Sequence, residues 1–192
     1  MKSRSMSAGK NKLTARDILV IGLMGAILTI AQVALAIIPN VELVSLLIIV
    51  FTLVAGKKIF YIIYVFVLAD GLIYGFGLWW VNYLYVWAIL ASVVLIFRKN
   101  QSVIIWSIIS GLFGLLFGSF CAIPYFFMGG IGAAVSYWVN GIIFDLIHCV
   151  GNVIAVLVLF RPAYKIVDAS YTNEVQYNLS SQRDKERGAS NG

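Results

Sequence analysis

The chain has 192 residues, 61% of them hydrophobic and 11% charged, with a formal net charge of +6 and a mean hydropathy of +0.95. A water-soluble domain is about 45–50% apolar and about 25% charged, so this composition excludes an ordinary soluble enzyme and points to one membrane-embedded domain. The charge does not mark a nucleic-acid binder: all 14 Lys and Arg lie at the chain ends or in short breaks between apolar runs, the positive-inside pattern of a membrane protein.

Residues 1–14 are polar and basic and read as a flexible cytoplasmic tail. The first apolar run predicts helix 1 over Asp17–Ile38. It is too long for the roughly 7–15 residues of a signal-peptide core, so Ala34-Leu35-Ala36 is not read as a cleavage site. Pro39-Asn40 breaks the chain, because Pro ends a helix and Asn favours turns. Helix 2 is expected over Glu42–Ala55, short for a full span, followed by a turn at Gly56-Lys57-Lys58. Helix 3 is expected over Ile59–Gly75 and helix 4 over Trp79–Phe97, with a tight turn at Gly75-Phe76-Gly77 between them. Arg98-Lys99-Asn100 then leads to helix 5 over Ile104–Phe127, where Gly114, Gly118 and Ala122, spaced by four, offer a face for close helix contact. Pro124 is expected to kink that helix, and Met128–Ser136 to form an outer loop. Helix 6 is expected over Tyr137–Phe160, ending at Arg161-Pro162, and residues 167–192 form a polar tail expected to be disordered.

The fold expected is therefore an all-α integral membrane domain over residues 15–166. It has six transmembrane helices and both termini in the cytoplasm, a topology that leaves the three outer connections without Lys or Arg. Cys121 and Cys149 sit in apolar segments without metal-like spacing and read as small buried hydrophobes. No cofactor or metal is expected.

The chemistry lies in polar groups inside apolar segments. Gly141, Asp145, His148 and Asn152 recur at i, i+4, i+7 and i+11, one face of helix 6. Ionisable groups at membrane depth are costly and usually face a bundle interior or a wet cavity. At 1.5 Å per residue, Asp70 falls roughly 8 Å, Asp145 roughly 10 Å and His148 roughly 15 Å below the outer helix ends. Glu42 stands at the outer start of helix 2, where it either caps the helix or faces a ligand. His148 either pairs with Asp145 one turn away or faces a ligand. Trp79, Asn82, Tyr83, Trp138 and Asn140 gather at the same outer ends, the aromatics serving as an interfacial belt or as a stacking surface. The expected pocket is thus lined by Glu42, Asp70, Trp79, Asn82, Tyr83, Trp138, Asn140, Asp145 and His148. It holds no Lys or Arg, which suits a neutral, zwitterionic or cationic small molecule rather than a polyanion.

Over about Lys12–Lys165 the chain resembles the substrate-binding S components of energy-coupling-factor (ECF) vitamin transporters. The likeness rests on the basic N-terminal tail, six short apolar helices, the break Ile38-Pro39-Asn40 running into Glu42-Leu43-Val44-Ser45, and small residues spaced by four in helix 1. In that family an Ala-x-x-x-Ala motif docks on a transmembrane coupling subunit; Gly22-x-x-x-Ala26 is the nearest match here, with Gly in place of the first Ala. No motif of a particular vitamin branch is present. The resemblance implies a non-enzymatic subunit in a bacterial cell membrane that binds a vitamin-like molecule from outside and works with a coupling subunit and two ATPases. This chain has no Gly-x-x-x-x-Gly-Lys-Ser/Thr loop, so ATP chemistry would come from those partners.

Other classes are weighed against this. A proton-coupled carrier using Asp70, Asp145 and His148 would need an inverted repeat or a polar path through the inner half, and neither is visible; a non-transport structural membrane protein is the blander form of the same alternative. An intramembrane protease would need a nucleophile motif that neither Gly118-Ser119-Phe120 nor Ala69-Asp70-Gly71 supplies. A transition-metal carrier would rest on one imidazole and scattered carboxylates, a poor selective site.

Overall fold

Helix α1 (Ala15–Leu35) begins at a capping box. The Thr14 hydroxyl accepts from the Asp17 N–H, and the Thr14 N–H donates to the Asp17 carboxylate, each at 3.1 Å, which satisfies orphan groups of the first turn. The computed structural model describes residues 13–36 and 42–190, with side chains through Thr172; residues 1–12, the break at Pro39-Asn40 and the last two residues lie outside that description. The remaining elements are α2 (Val44–Ala55), a 3₁₀ turn (Gly56–Lys58), α3 (Ile59–Tyr74), α4 (Leu78–Phe97), α5 (Val103–Cys121) and α6 (Ile123–Ser190). Among the described residues there is no strand.

Contacts between helices fix their directions. Asp17 at the start of α1 pairs with Lys58 just before α3 at 2.5 Å, and Gly25 packs on Ile62 and Val65 further along. Helices α1 and α3 are therefore parallel, and α2 returns between them. The reversal from α2 to α3 is made at Gly56, whose φ of +59° suits a residue without a Cβ. In α3 and α4, Phe66 meets Tyr83 and the Trp80 indole donates to the Val67 carbonyl at 2.9 Å, an antiparallel pair. In α4 and α5, Trp87 meets Phe113 and Phe117 while Tyr85 reaches Phe120, again antiparallel. The result is six helical rods that alternate in direction, the last reversal lying within α6 at Gly129-Gly130. One end of the bundle collects Arg16, Lys57, Lys58, Arg98, Lys99, Arg161 and Lys165; the opposite end collects Glu42, Asp70, Asn82 and Asp145.

Five stretches are long and apolar enough to cross a membrane, with α2 and α3 taken together as Val44–Tyr74. The interior is apolar, built on residues such as Leu28, Ile49, Phe66, Trp87 and Val156. The outside is apolar too: Ile143, Phe144, Leu146, Ile147 and Val150 of α6 are all exposed. A helix that turns its apolar face outward and its polar groups inward suits a hydrocarbon surrounding rather than water.

Two expectations need correction. The loop placed at Met128–Ser136 shrinks to Gly129-Gly130, the only residues with non-helical backbone between Ile123 and Ser190. Gly130 has φ +72°, so a two-glycine break suffices to reverse the chain, and the helix resumes at once. Pro124 falls in the first turn of α6, where its missing N–H is tolerated. The Phe120 carbonyl, which Pro124 cannot satisfy, accepts from the Tyr85 hydroxyl at 2.7 Å. The second correction concerns the other end: α6 does not stop at Phe160 but runs through Pro162, and its helical backbone continues to Ser190. Ala163, Tyr164, Val167 and Tyr171 continue the buried stripe at helical spacing and pack on the core, which outweighs the single bond Pro162 removes.

Candidate functional site

Helix α6 presents Asp145, His148 and Asn152 on one face, and all three are buried. Helix α2, which runs parallel to α6, presents Ser45 in its first turn, and Glu42 stands three residues earlier, just before the N-cap Leu43. That register places His148 Nε2 at 2.9 Å from Glu42 Oε1. The Ser45 hydroxyl donates to the same oxygen at 2.6 Å. Asn152 Nδ2 donates to Ser45 Oγ at 3.3 Å and to the Ser110 carbonyl of α5 at 3.2 Å. The chain of donors Asn152 to Ser45 to Glu42 runs in one direction and converges with His148 on one carboxylate. Such chains strengthen one another at low dielectric. The Glu42 side chain therefore does not cap α2, whose N-cap residue Leu43 has no side-chain cap bond, and His148 pairs with Glu42 rather than with Asp145.

An aromatic wall stands beside this network. Phe117 lies 5.0 Å from the His148 ring, Trp87 lies 5.7 Å from Phe117, and Tyr83 lies 5.3 Å from both Trp87 and Trp79. Gln32 Nε2 of α1 reaches the Tyr83 hydroxyl at 3.4 Å.

Asp145 serves the helix interface. Its Oδ1 accepts from the Gly118 N–H at 2.9 Å, and a Cβ at Gly118 would collide with the carboxylate. Gly114 and Gly111 give the same close approach further down, where an added Cβ would stand 2.9 Å from the Cys149 nitrogen and 2.6 Å from Val153. The small-residue face of α5 thus packs on α6. Asn82 is buried with its Oδ1 2.9 Å from the Tyr85 hydroxyl. Trp138 and Asn140 are not brought into the group. Trp138 is 40% exposed, more than two turns beyond the level where Glu42 meets α6. Asn140 is exposed and turns its amide to the Ser136 carbonyl at 2.8 Å. Of the expected lining, then, Glu42, Tyr83 and His148 are in contact through this network, with Asp70, Trp79 and Asn82 around the same end.

Several buried polar atoms at this site have no partner among the described residues. They are both Asp70 oxygens, Gln32 Oε1, Trp87 Nε1, Asp145 Oδ2, Asn152 Oδ1 and the Ser110 hydroxyl. Buried polar groups are normally paired, so this concentration is unusual. Asp70 is 1% exposed with both oxygens unpaired. The sequence reading missed Gln32, Ser45, Trp87 and Phe117. Ser45 had a usable signal, a polar residue one turn from Glu42 in an otherwise apolar segment; Trp87 and Phe117 had none that separates them from core. Among the described residues no three of His, Cys, Asp and Glu gather as a metal-holding group.

No family model matches the chain, and no curated protein or solved structure matches it.

Proposed function

We propose that this chain is the substrate-binding subunit of an ATP-driven uptake transporter for a vitamin-like micronutrient, an S component of the energy-coupling-factor type in a bacterial cell membrane. It crosses the membrane six times, with α2 and α3 as separate crossings and both termini in the cytoplasm. The observation that carries the reading is the set of unpartnered polar groups beside the Tyr83–Trp87–Phe117 wall, at the end of the bundle opposite the basic residues. With the basic end inside, these groups face outward. They offer carboxylate oxygens, amide acceptors, an indole donor and stackable rings, which suits a flat, neutral to cationic molecule. The subunit itself performs no chemistry; it binds, and a coupling subunit with two ATPases supplies the energy.

The docking surface for the coupling subunit is assigned to Gly22 and Ala26. Ala26 is exposed, and a Cβ built on Gly22 meets nothing within 4 Å, so this face of α1 is open to a partner helix. Small residues let helix backbones approach closely. Gly22→Leu is expected to leave the fold and ligand binding intact while the ATPases no longer co-purify with the tagged chain from its own cells. Co-purification at the wild-type level would move the docking face elsewhere, and absence of any ATPase from the wild-type preparation would count against the transporter reading itself.

A further inference from the structure

The basic end of the bundle holds a cavity of about 300 Å³, between the start of α5 and the stretch of α6 beyond Phe160. This is within the size range of small-molecule pockets, about 300–1,000 Å³. Its lining includes Arg98, Asn100, Trp106, Arg161, Tyr164 and Lys165. Among the described residues none of the three cations makes an ion pair with a carboxylate. Three unpaired positive charges around one cavity repel one another, and an anion between them would relieve that repulsion.

The donors around the cavity are also in surplus. Asn100 spends its Oδ1 on the Ser102 N–H at 2.8 Å, which leaves its Nδ2 to donate. Ser102 stands at the N-cap of α5 yet makes no side-chain cap bond, so the first-turn N–H groups of this 19-residue helix have no side-chain acceptor. Trp106 is fully buried, and its indole N–H has no partner among the described residues. The cavity therefore combines two guanidiniums, an ammonium and several neutral donors. Guanidiniums match the paired oxygens of a phosphate, and helix N-termini add to that preference. Trp106 and Phe160, whose rings stack at 6.4 Å, give the cavity an apolar wall. A group with an anionic head and an apolar neighbour is what this lining fits.

We infer that this cavity is a binding site for a phosphate-bearing group, separate from the polar groups at the opposite end and independent of the transporter reading. Its place, where the apolar helices give way to basic residues, is the level at which phospholipid headgroups meet a membrane protein. A phosphodiester headgroup and a free phosphate share the chemistry, and the test separates them.

The full-length protein in a zwitterionic detergent is titrated with dihexanoyl phosphatidylglycerol, dihexanoyl phosphatidylcholine and inorganic phosphate, and adducts are read by native mass spectrometry. Arg98, Arg161 and Lys165 are exposed, so substituting them leaves the core packing in place. The phosphatidylglycerol adduct is expected to be retained about tenfold better than phosphatidylcholine, and Arg98→Gln/Arg161→Gln to lose about tenfold of it, since each charged hydrogen bond carries at least that factor. Lys165→Gln should lose severalfold on its own. Lys57→Gln, the same charge lost from an exposed residue outside the cavity, should change nothing. Inorganic phosphate bound with the same dependence on Arg98 and Arg161, without a lipid preference, would assign the site to a soluble phosphate. The inference is overturned if neither probe binds, if binding ignores Arg98, Arg161 and Lys165, or if Lys57→Gln weakens it equally.

Discussion

Gly118→Val is expected to destabilise the protein by about 3 kcal/mol, the upper part of the range for overpacking a filled interface. The Gly118 position has no room for a Cβ, because the Asp145 carboxylate occupies it. A branched side chain there would push α5 and α6 apart and break the bond from the Gly118 N–H to Asp145 Oδ1. It would also strand a buried carboxylate, which costs more than the bond itself is worth. Because Gly114 and Gly111 lie on the same face, the displacement would spread along the hairpin. Gly22→Val is the matched control: a Cβ there meets nothing within 4 Å, so the change should stay within about 0.5 kcal/mol of wild type. Reversible unfolding in mixed micelles with added dodecyl sulfate reads both. Equal stabilities for the two variants would mean that α5 and α6 do not pack through the glycine face.

The Glu42–His148 pair gives the second large effect. Both side chains are mostly buried, at 13% and 5% exposed. His148→Leu keeps the packing against Phe117 but leaves the Glu42 carboxylate with the Ser45 hydroxyl as its partner at that oxygen. Removing one member of a buried polar pair is expected to cost about 3 kcal/mol or more. The double variant Glu42→Leu/His148→Leu removes both polar groups together, and replacement of a buried pair by apolar residues is often neutral or stabilising. The double variant should therefore be closer to wild type than His148→Leu alone. A strictly additive cycle, with the double variant less stable than either single one, would show that the two residues do not share one interaction.

Much of this architecture is readable from the chain because apolar periodicity and basic punctuation are strong signals. Helices α3 and α4 fall within a residue of the expected positions, and the face carrying Asp145, His148 and Asn152 is the buried face of α6. What could not be read depends on pairing between helices. His148 has Asp145 one turn away in sequence, yet the parallel register of α2 and α6 delivers Glu42 to it instead. Asp145 looks like a ligand group by its depth, and only the close approach permitted by Gly118 shows that it also clamps two helices. Trp138 belongs to the same face by spacing, but a stripe lines an interior only where a neighbour stands opposite. The two ends of α6 were misjudged for related reasons. A glycine-rich stretch looks like a long loop when two glycines suffice for the reversal, and Pro162 looks like a stop when Tyr164, Val167 and Tyr171 still have a core to pack on.

That the carboxylate-bearing end of the bundle holds a small molecule is tested most directly by native mass spectrometry of the full-length protein, purified from its own cells in mild detergent. The wild type should carry a small molecule that is released on denaturation. The Glu42→Leu/His148→Leu variant, folded but stripped of the central polar pair, should carry about a hundredfold less, the factor that corresponds to roughly 3 kcal/mol. A wild-type protein that carries nothing and gains nothing on incubation with cell extract would contradict the binding role. So would equal occupancy in the two proteins, which would place any bound molecule away from Glu42 and His148.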